Sequence, residues 1–228
     1  MCGRFTLAAD EQQLVEAFDI PTLTFDFQPS YNVAPGQSTV VVAADGAGRR
    51  AGQLKWGFVP GWLDQPGSGF INARSESVAD KPSFREAFAR RRCLVPADGI
   101  YEWRRDGDAK GPHWFHPSSA SPVAFGGIWE SWSRPDQEPK HTFAILTTAA
   151  NEDVRGVHDR MPLVISPRAF SVWLDRNAQA AEVQSLLRSA PDGTFDVHPV
   201  TDRVNRPSEN DVGLTEPTKL PVVRPSGT

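Results

Sequence analysis

The stretch Cys93-Leu94-Val95-Pro96-Ala97-Asp98-Gly99-Ile100-Tyr101-Glu102-Trp103 decides the fold class. It reads as two short strands, Leu94-Val95 and Gly99 to Trp103, around an irregularity at Pro96. Arg105-Asp106-Gly107-Asp108 follows as a hairpin-turn signal, so the second strand is expected to double back. Upstream, Ser83 to Arg91 reads as a helix with Phe84, Ala87 and Phe88 inward. Thr39 to Ala44 is a β-branched run ended by Asp45-Gly46, and Leu54 to Val59 is a further strand. Downstream, Val123 to Trp129, Thr142 to Thr148 and Leu163 to Ile165 are strands. Asp10 to Phe18 is a short helix with Asp10 as its N-cap, and Pro167 to Trp173 and Gln179 to Arg188 look helical.

Strands dominate and helices are scattered, so the pattern is α+β and not alternating βαβ units. There is no internal repeat and no long linker. The 228 residues fit one domain, expected over residues 1–212, with a polar, Pro-rich tail over 213–228 that is expected to be partly disordered. The counts of 18 Gly and 20 Pro fit many turns between short strands.

The net charge is −4, which argues against a dedicated electrostatic binder of nucleic acid. Screening confines fields to about 10 Å at 0.1 M salt, however, so local charge decides what a phosphate feels. Arg85, Arg90, Arg91, Arg92, Arg104 and Arg105 fall in one short stretch, whose ordinary reading is a solvated helix face and a turn. The two cysteines, Cys2 and Cys93, form neither a disulfide framework nor a zinc spacing. No set of His, Cys, Asp and Glu has ligand spacing, and no Gly-rich loop cradles phosphate, so neither metal nor nucleotide cofactor is expected. Asp10 and Glu11 interrupt any secretory signal, and no run approaches the ~18 apolar residues of a membrane span. A soluble, cytoplasmic protein without a membrane partner is expected.

The chain begins Met1-Cys2-Gly3-Arg4-Phe5. A small second residue permits removal of Met1, which leaves Cys2 with an α-amine and a thiol on adjacent carbons. The amine has a reference pKa of about 7.7–8.0, against about 10.4 for lysine, so roughly a tenth is free base near pH 7. Such an amine attacks an aldehyde to give a Schiff base, and the thiol can then close a five-membered thiazolidine. The plain alternative is an unremarkable second residue. Glu102 lies in an otherwise apolar strand and shares a face with Ile100 and Arg104, turned inward or to a rim; an inward carboxylate is rarely structural without a partner. His158 sits in a polar cluster with Asp159 and Arg160, as a proton carrier or a turn residue. Asn72 by itself holds a turn, and Cys93 is a small core residue. Most of the seven Trp residues read as core, with Trp103 the exception beside Glu102.

Five segments occur in order: Tyr31-Asn32-Val33-Ala34-Pro35-Gly36, Trp56 to Trp62, Ile71-Asn72-Ala73-Arg74-Ser75-Glu76, Cys93 to Trp103, and Val157-His158-Asp159-Arg160-Met161-Pro162. With the Cys-Gly-Arg-Phe start, they make the chain closely resemble the SRAP (SOS response-associated peptidase) family, from the first residues to about Val212. The resemblance implies a single α+β domain, with bent antiparallel sheets in a partly closed, barrel-like core and a few flanking helices. It implies a monomeric sensor of abasic sites in single-stranded DNA, nucleoid-associated when engaged, that crosslinks through Cys2 by lyase-like chemistry and removes its own Met1. By position, Cys2 is the nucleophile, Asn72 positions the reacting amine or sugar, Glu102 is the catalytic carboxylate and His158 the proton shuttle. Arg4, Arg74 and Arg160 are phosphate clamps, and Pro35, Trp103 and the Trp56/Trp62 segment line the DNA path. Two other readings stand beside it: a cysteine peptidase built on Cys2 and His158 with Asn72 or Glu102, and a non-covalent single-strand-binding module in which Cys2 is incidental.

Overall fold

A computed structural model describes residues 2–65, 67–105, 110–118, 122–135 and 137–218. In chain order the elements are β1 (Phe5–Leu7), α1 (Glu11–Phe18), β2 (Ser30–Val33), β3 (Ser38–Asp45), β4 (Gly48–Trp56), β5 (Asn72–Arg74), α2 (Arg85–Arg90), β6 (Arg92–Ala97), β7 (Gly99–Arg104), β8 (Gly111–Pro117), β9 (Val123–Trp132), β10 (Lys140–Ala149), α3 (Glu152–Arg155), β11 (Arg160–Pro162), β12 (Val164–Ile165), α4 (Phe170–Leu174), α5 (Ala180–Ser185) and β13 (Phe195–Pro199). One sheet runs β13-β8-β7-β1-β2 and is antiparallel throughout. The other runs β11-β10-β4-β3-β6-β9-β12, with β5 added beside β10, and β9 also pairs with β10. That last pairing returns the path on itself, so β10, β4, β3, β6 and β9 form a ring. The α+β fold, with mostly antiparallel sheets and a partly closed ring, is the one expected, and it has one further feature. β10 pairs in parallel with β4 and with β5, because both reach it by long crossovers and not by hairpins.

The deciding stretch is where the chain leaves one sheet for the other. β6 lies in the ring and β7 in the five-stranded sheet, and Asp98 is the corner between them. Its carboxylate accepts from the backbone N–H groups of Ala8 and Ala9, and its own N–H donates to the Thr6 carbonyl at 2.7 Å. Gly99 has to be glycine: a Cβ there would stand 2.5 Å from the Phe115 carbonyl oxygen and 2.6 Å from Trp114 Nε1. Pro96 does not break β6 but sits within it, opposite Ala124.

Both sheets bury their facing sides in one core that includes Phe5, Trp56, Phe125, Phe143 and Trp173. Asp10 caps α1 in a reciprocal pair with Gln13, each side chain bonded to the other's backbone N–H at 2.8 Å. The expected strand from Leu54 to Val59 starts earlier and stops at Trp56, where Gly57 turns the chain at φ 140°. The turn signal at residues 106–108 lies outside the described residues. The packed chain runs past the boundary expected at 212. Leu214 is fully buried beside Tyr101, Val200 and Val204, and the Thr218 N–H donates to the Pro199 carbonyl at 2.9 Å.

The arginine stretch is not one solvated face. Arg92 is buried and spends its guanidinium on carbonyls at the ends of two helices: Phe88 and Ala89 of α2, and Trp173 and, just past α4, Asp175. Helix C-termini leave such carbonyls unpaired and carry partial negative charge, so one cation serves both. Arg92→Ala is expected to destabilise the fold by about 2–4 kcal/mol, because several buried acceptors lose their donor at once. A chemical-denaturation midpoint measures it, and a variant as stable as the parent would refute this role.

Candidate active site

The register of β1 on β7 brings the chain start to Glu102. Phe5 pairs with Ile100 and Thr6 with Gly99, and the Tyr101 N–H donates to the Arg4 carbonyl at 3.0 Å. Antiparallel continuation of that ladder carries Gly3 and Cys2 alongside Glu102 and Trp103. Asn72, opening β5 of the other sheet, reaches across and donates from Nδ2 to the Cys2 carbonyl at 2.7 Å. Its Oδ1 is buried and accepts no hydrogen bond among the described residues. The two sheets therefore meet at Cys2.

Glu102 is 3% exposed. Burial raises its pKa to about 7, and nearby cationic charge, that of Arg105 included, works against the rise. Cys2 has no exposed surface, and its thiol is pushed above its ordinary range first by burial and then by the charge of Glu102. That second cause places the thiol in the field of the carboxylate. Cys93 is equally buried, in the core, as expected of a small apolar residue.

His158 lies between α3 and β11. Its Nδ1 accepts from the Arg160 N–H at 2.9 Å and stands 3.0 Å from Asp159 Oδ1. Burial lowers its pKa, with Asp159 opposing. The charge of Arg105 acts on both Glu102 and His158, and that of Asp159 raises Glu102, so carboxyl and imidazole share one electrostatic neighbourhood.

The residues assigned to DNA are placed unequally. Pro35 is exposed in a turn closed by Gln37 N–H to Ala34 O at 3.1 Å, with Gly36 at φ 87°. Arg74 is exposed. Arg160 is held by Glu76 through both terminal nitrogens, at 2.6 and 2.8 Å. Arg4 points inward, donating from Nη1 to Asn32 Oδ1 at 2.8 Å and to the Val204 carbonyl at 2.6 Å. In the free protein it pins β1 to the later chain. Trp103 is half-buried, with Nε1 donating to Asn205 Oδ1 at 2.9 Å.

Trp56 does not line a path. It is fully buried, T-shaped against Phe5 at 5.1 Å and stacked with Phe143 at 6.3 Å. The exposed tryptophan is Trp62, at 63%, and not Trp103. The preceding Pro60-Gly61 pair marks Trp62 as loop-borne, whereas Trp56 ends a strand. Sequence reasoning also passed over Glu76, although the alternation Asn72, Arg74, Glu76 hints at one shared face. A large groove of about 750 Å³, lined by Phe170, Ile165 and Leu186 among others, lies apart from these residues. Among the described residues no group of three or more His, Cys, Asp or Glu side chains is placed to hold a metal ion, and no helix is long and apolar enough to cross a membrane.

Cys2 is thus held by an amide from the facing sheet and lies in the field of a buried carboxyl. The chain belongs to the family described as SOS response associated peptidase (SRAP), whose model matches residues 1–207. The abasic site processing protein YoqW of Bacillus subtilis is 37% identical over 222 residues, covering 95% of this chain and 99% of that protein. The abasic site processing protein YedK of Escherichia coli is 30% identical over 228 residues, covering 95% and 100%. HMCES of Gallus gallus, another abasic site processing protein, is 31% identical over 214 residues, covering 78% and 63%. A solved protein from Bacteroides thetaiotaomicron superposes with a TM-score of 0.86 at 23% identity, over 96% of this chain and all of that one, which establishes the fold.

Proposed function

We propose that this protein processes abasic sites in single-stranded DNA by covalent capture on Cys2, and that the whole folded chain acts as one domain. The hydrogen bond from Asn72 Nδ2 to the Cys2 carbonyl, with Glu102 beside the same residue, carries the reading. Structural chemistry alone would not need an amide and a raised-pKa carboxyl converging on the second residue of a chain.

Removal of Met1 turns the Cys2 nitrogen into a primary amine. The ring-closed abasic sugar must open to its aldehyde, which needs a proton moved between sugar oxygens; His158 and Glu102 are the groups for it. The amine adds to the aldehyde carbon, and the protonated carboxyl of Glu102 gives the departing hydroxyl its proton and takes back the one the nitrogen loses, so water leaves and an imine remains. The thiol then adds to the imine carbon as its proton passes to the imine nitrogen, closing a thiazolidine. Asn72 fixes the Cys2 carbonyl, and its buried Oδ1 is an acceptor left over to orient the amine.

A general cysteine peptidase needs a thiolate at neutral pH, and burial drives this thiol the other way. That direction supports the amine, and not the thiol, as the first nucleophile, and with it a capture role over cleavage of other peptides. Relatives named for abasic-site processing support the substrate class. The protein would act in the cytoplasm, on the nucleoid.

The test uses three labelled single strands: one with an abasic site, one undamaged, and one whose abasic aldehyde has been reduced to an alcohol. After denaturation only the first should remain on the protein. Equal retention of all three would leave a plain binding module.

A further inference from the structure

Two arginines flank β10 at Thr147. Arg74 ends β5 and pairs with Thr147 in register. Arg160 opens β11 on the other side of β10, and its Nη2 donates to the Thr147 carbonyl at 2.6 Å. One carboxylate answers them. Glu76 takes both terminal nitrogens of Arg160, and the charge of Arg74 also acts on it.

The pair is asymmetric. The Arg160 side chain is 15% exposed and that of Glu76 53%. The guanidinium is thus built into the strand layer and stays tethered to Thr147 without Glu76, while the carboxylate can turn into water at little cost. Arg160 Nε is buried and donates to nothing among the described residues, so the carboxylate does not exhaust the fork. A planar guanidinium takes phosphate in the same two-pronged way as carboxylate.

We propose that Glu76 is an internal stand-in for a DNA phosphate: it occupies Arg160 in the free protein, and a strand entering past Asn72 exchanges its phosphate for the carboxylate. The exchange rests on the reading of single-stranded DNA as the ligand. It gives Glu76 two effects. It keeps a half-buried cation paired when no DNA is present, and it sets a threshold that weak or transient strands must overcome. With Glu76 in the fork the two arginines present one net positive charge, and with it displaced they present two.

Binding of an undamaged fluorescent single strand, measured by anisotropy at low salt, tests this apart from the covalent chemistry. Glu76→Gln should bind about two- to fivefold tighter than the parent, the range of an exposed ion pair. The gain should shrink as salt rises and should vanish in an Arg160→Ala background. If Glu76 merely positions Arg160, Glu76→Gln will instead bind more weakly. Weaker or unchanged binding, or a gain that survives without Arg160, overturns the exchange while the proposed function stands. A parent that binds no single strand overturns both. Thermal melts accompany each variant, and Glu76→Ala provides a second reading of the same sign.

Discussion

Cys2→Ala should abolish the denaturation-stable adduct, and Cys2→Ser should retain only an adduct that must be trapped. Alanine keeps the α-amine but has no second nucleophile, so its imine hydrolyses back to aldehyde and amine. Serine keeps the amine and offers a hydroxyl, a poorer ring-closing group than sulfur. Sodium borohydride, which reduces an imine to a stable amine, should therefore restore a crosslink in both variants. The parent needs no reductant. The fold should survive either change, since Cys2 contributes its carbonyl to the bond with Asn72 and that carbonyl is unaltered. The loss expected in untrapped yield is essentially complete, which is the largest effect in the account. A Cys2→Ala protein with parental yield and no reductant would show that another group holds the DNA.

Glu102→Gln should slow adduct formation by roughly a hundredfold or more, in the range for losing a positioned general acid. Glutamine keeps the shape and burial of the side chain but cannot give up a proton at neutral pH. The pH profile separates this from a structural effect. Burial lifts the Glu102 pKa to about 7, so its acid form prevails below that value and is lost as pH rises through it. The amine works in the opposite direction, since its free base is lost as pH falls below about 7.7–8.0. The parental rate should therefore peak near neutrality and fall on both sides. In Glu102→Gln the alkaline fall should disappear and the acidic fall remain. A uniformly reduced but unchanged bell would mean that another group supplies the proton.

The sequence carried the long elements, and local physics explains why. Helix α1 announces itself through Asp10 and Gln13, whose reciprocal cap needs no tertiary partner. Strand β3 carries the β-branched stretch from Thr39 to Val42 within its eight residues and has a turn signal at its end. Glu102 was legible because a carboxylate amid Ile100, Tyr101 and Trp103 calls for an explanation wherever the strand turns it.

What escaped were elements held by their neighbours. β1, β2 and β5 have only three or four residues each, too few for a period to show. β8 is broken up by Pro112, His113 and His116 and exists as a strand through its pairing with β7 and β13. The contact of Asn72 with Cys2 joins residues 70 apart, across two sheets, and nothing local encodes it. Charge misled for the same reason. Arg92 and Arg4 look like surface cations, yet each is drawn inward by carbonyls that only the finished fold assembles. Trp62 and Trp56 sit in one aromatic segment, and the strand end at Trp56 sends one to the core and the other to solvent.

Intact-protein mass spectrometry after mixing with a single-stranded abasic oligonucleotide tests the central claim most directly. The account requires a protein that has lost Met1, joined to the oligonucleotide with the loss of one water, and fragmentation that places the link on Cys2. An adduct on a chain still carrying Met1, or a link at a lysine, would contradict it.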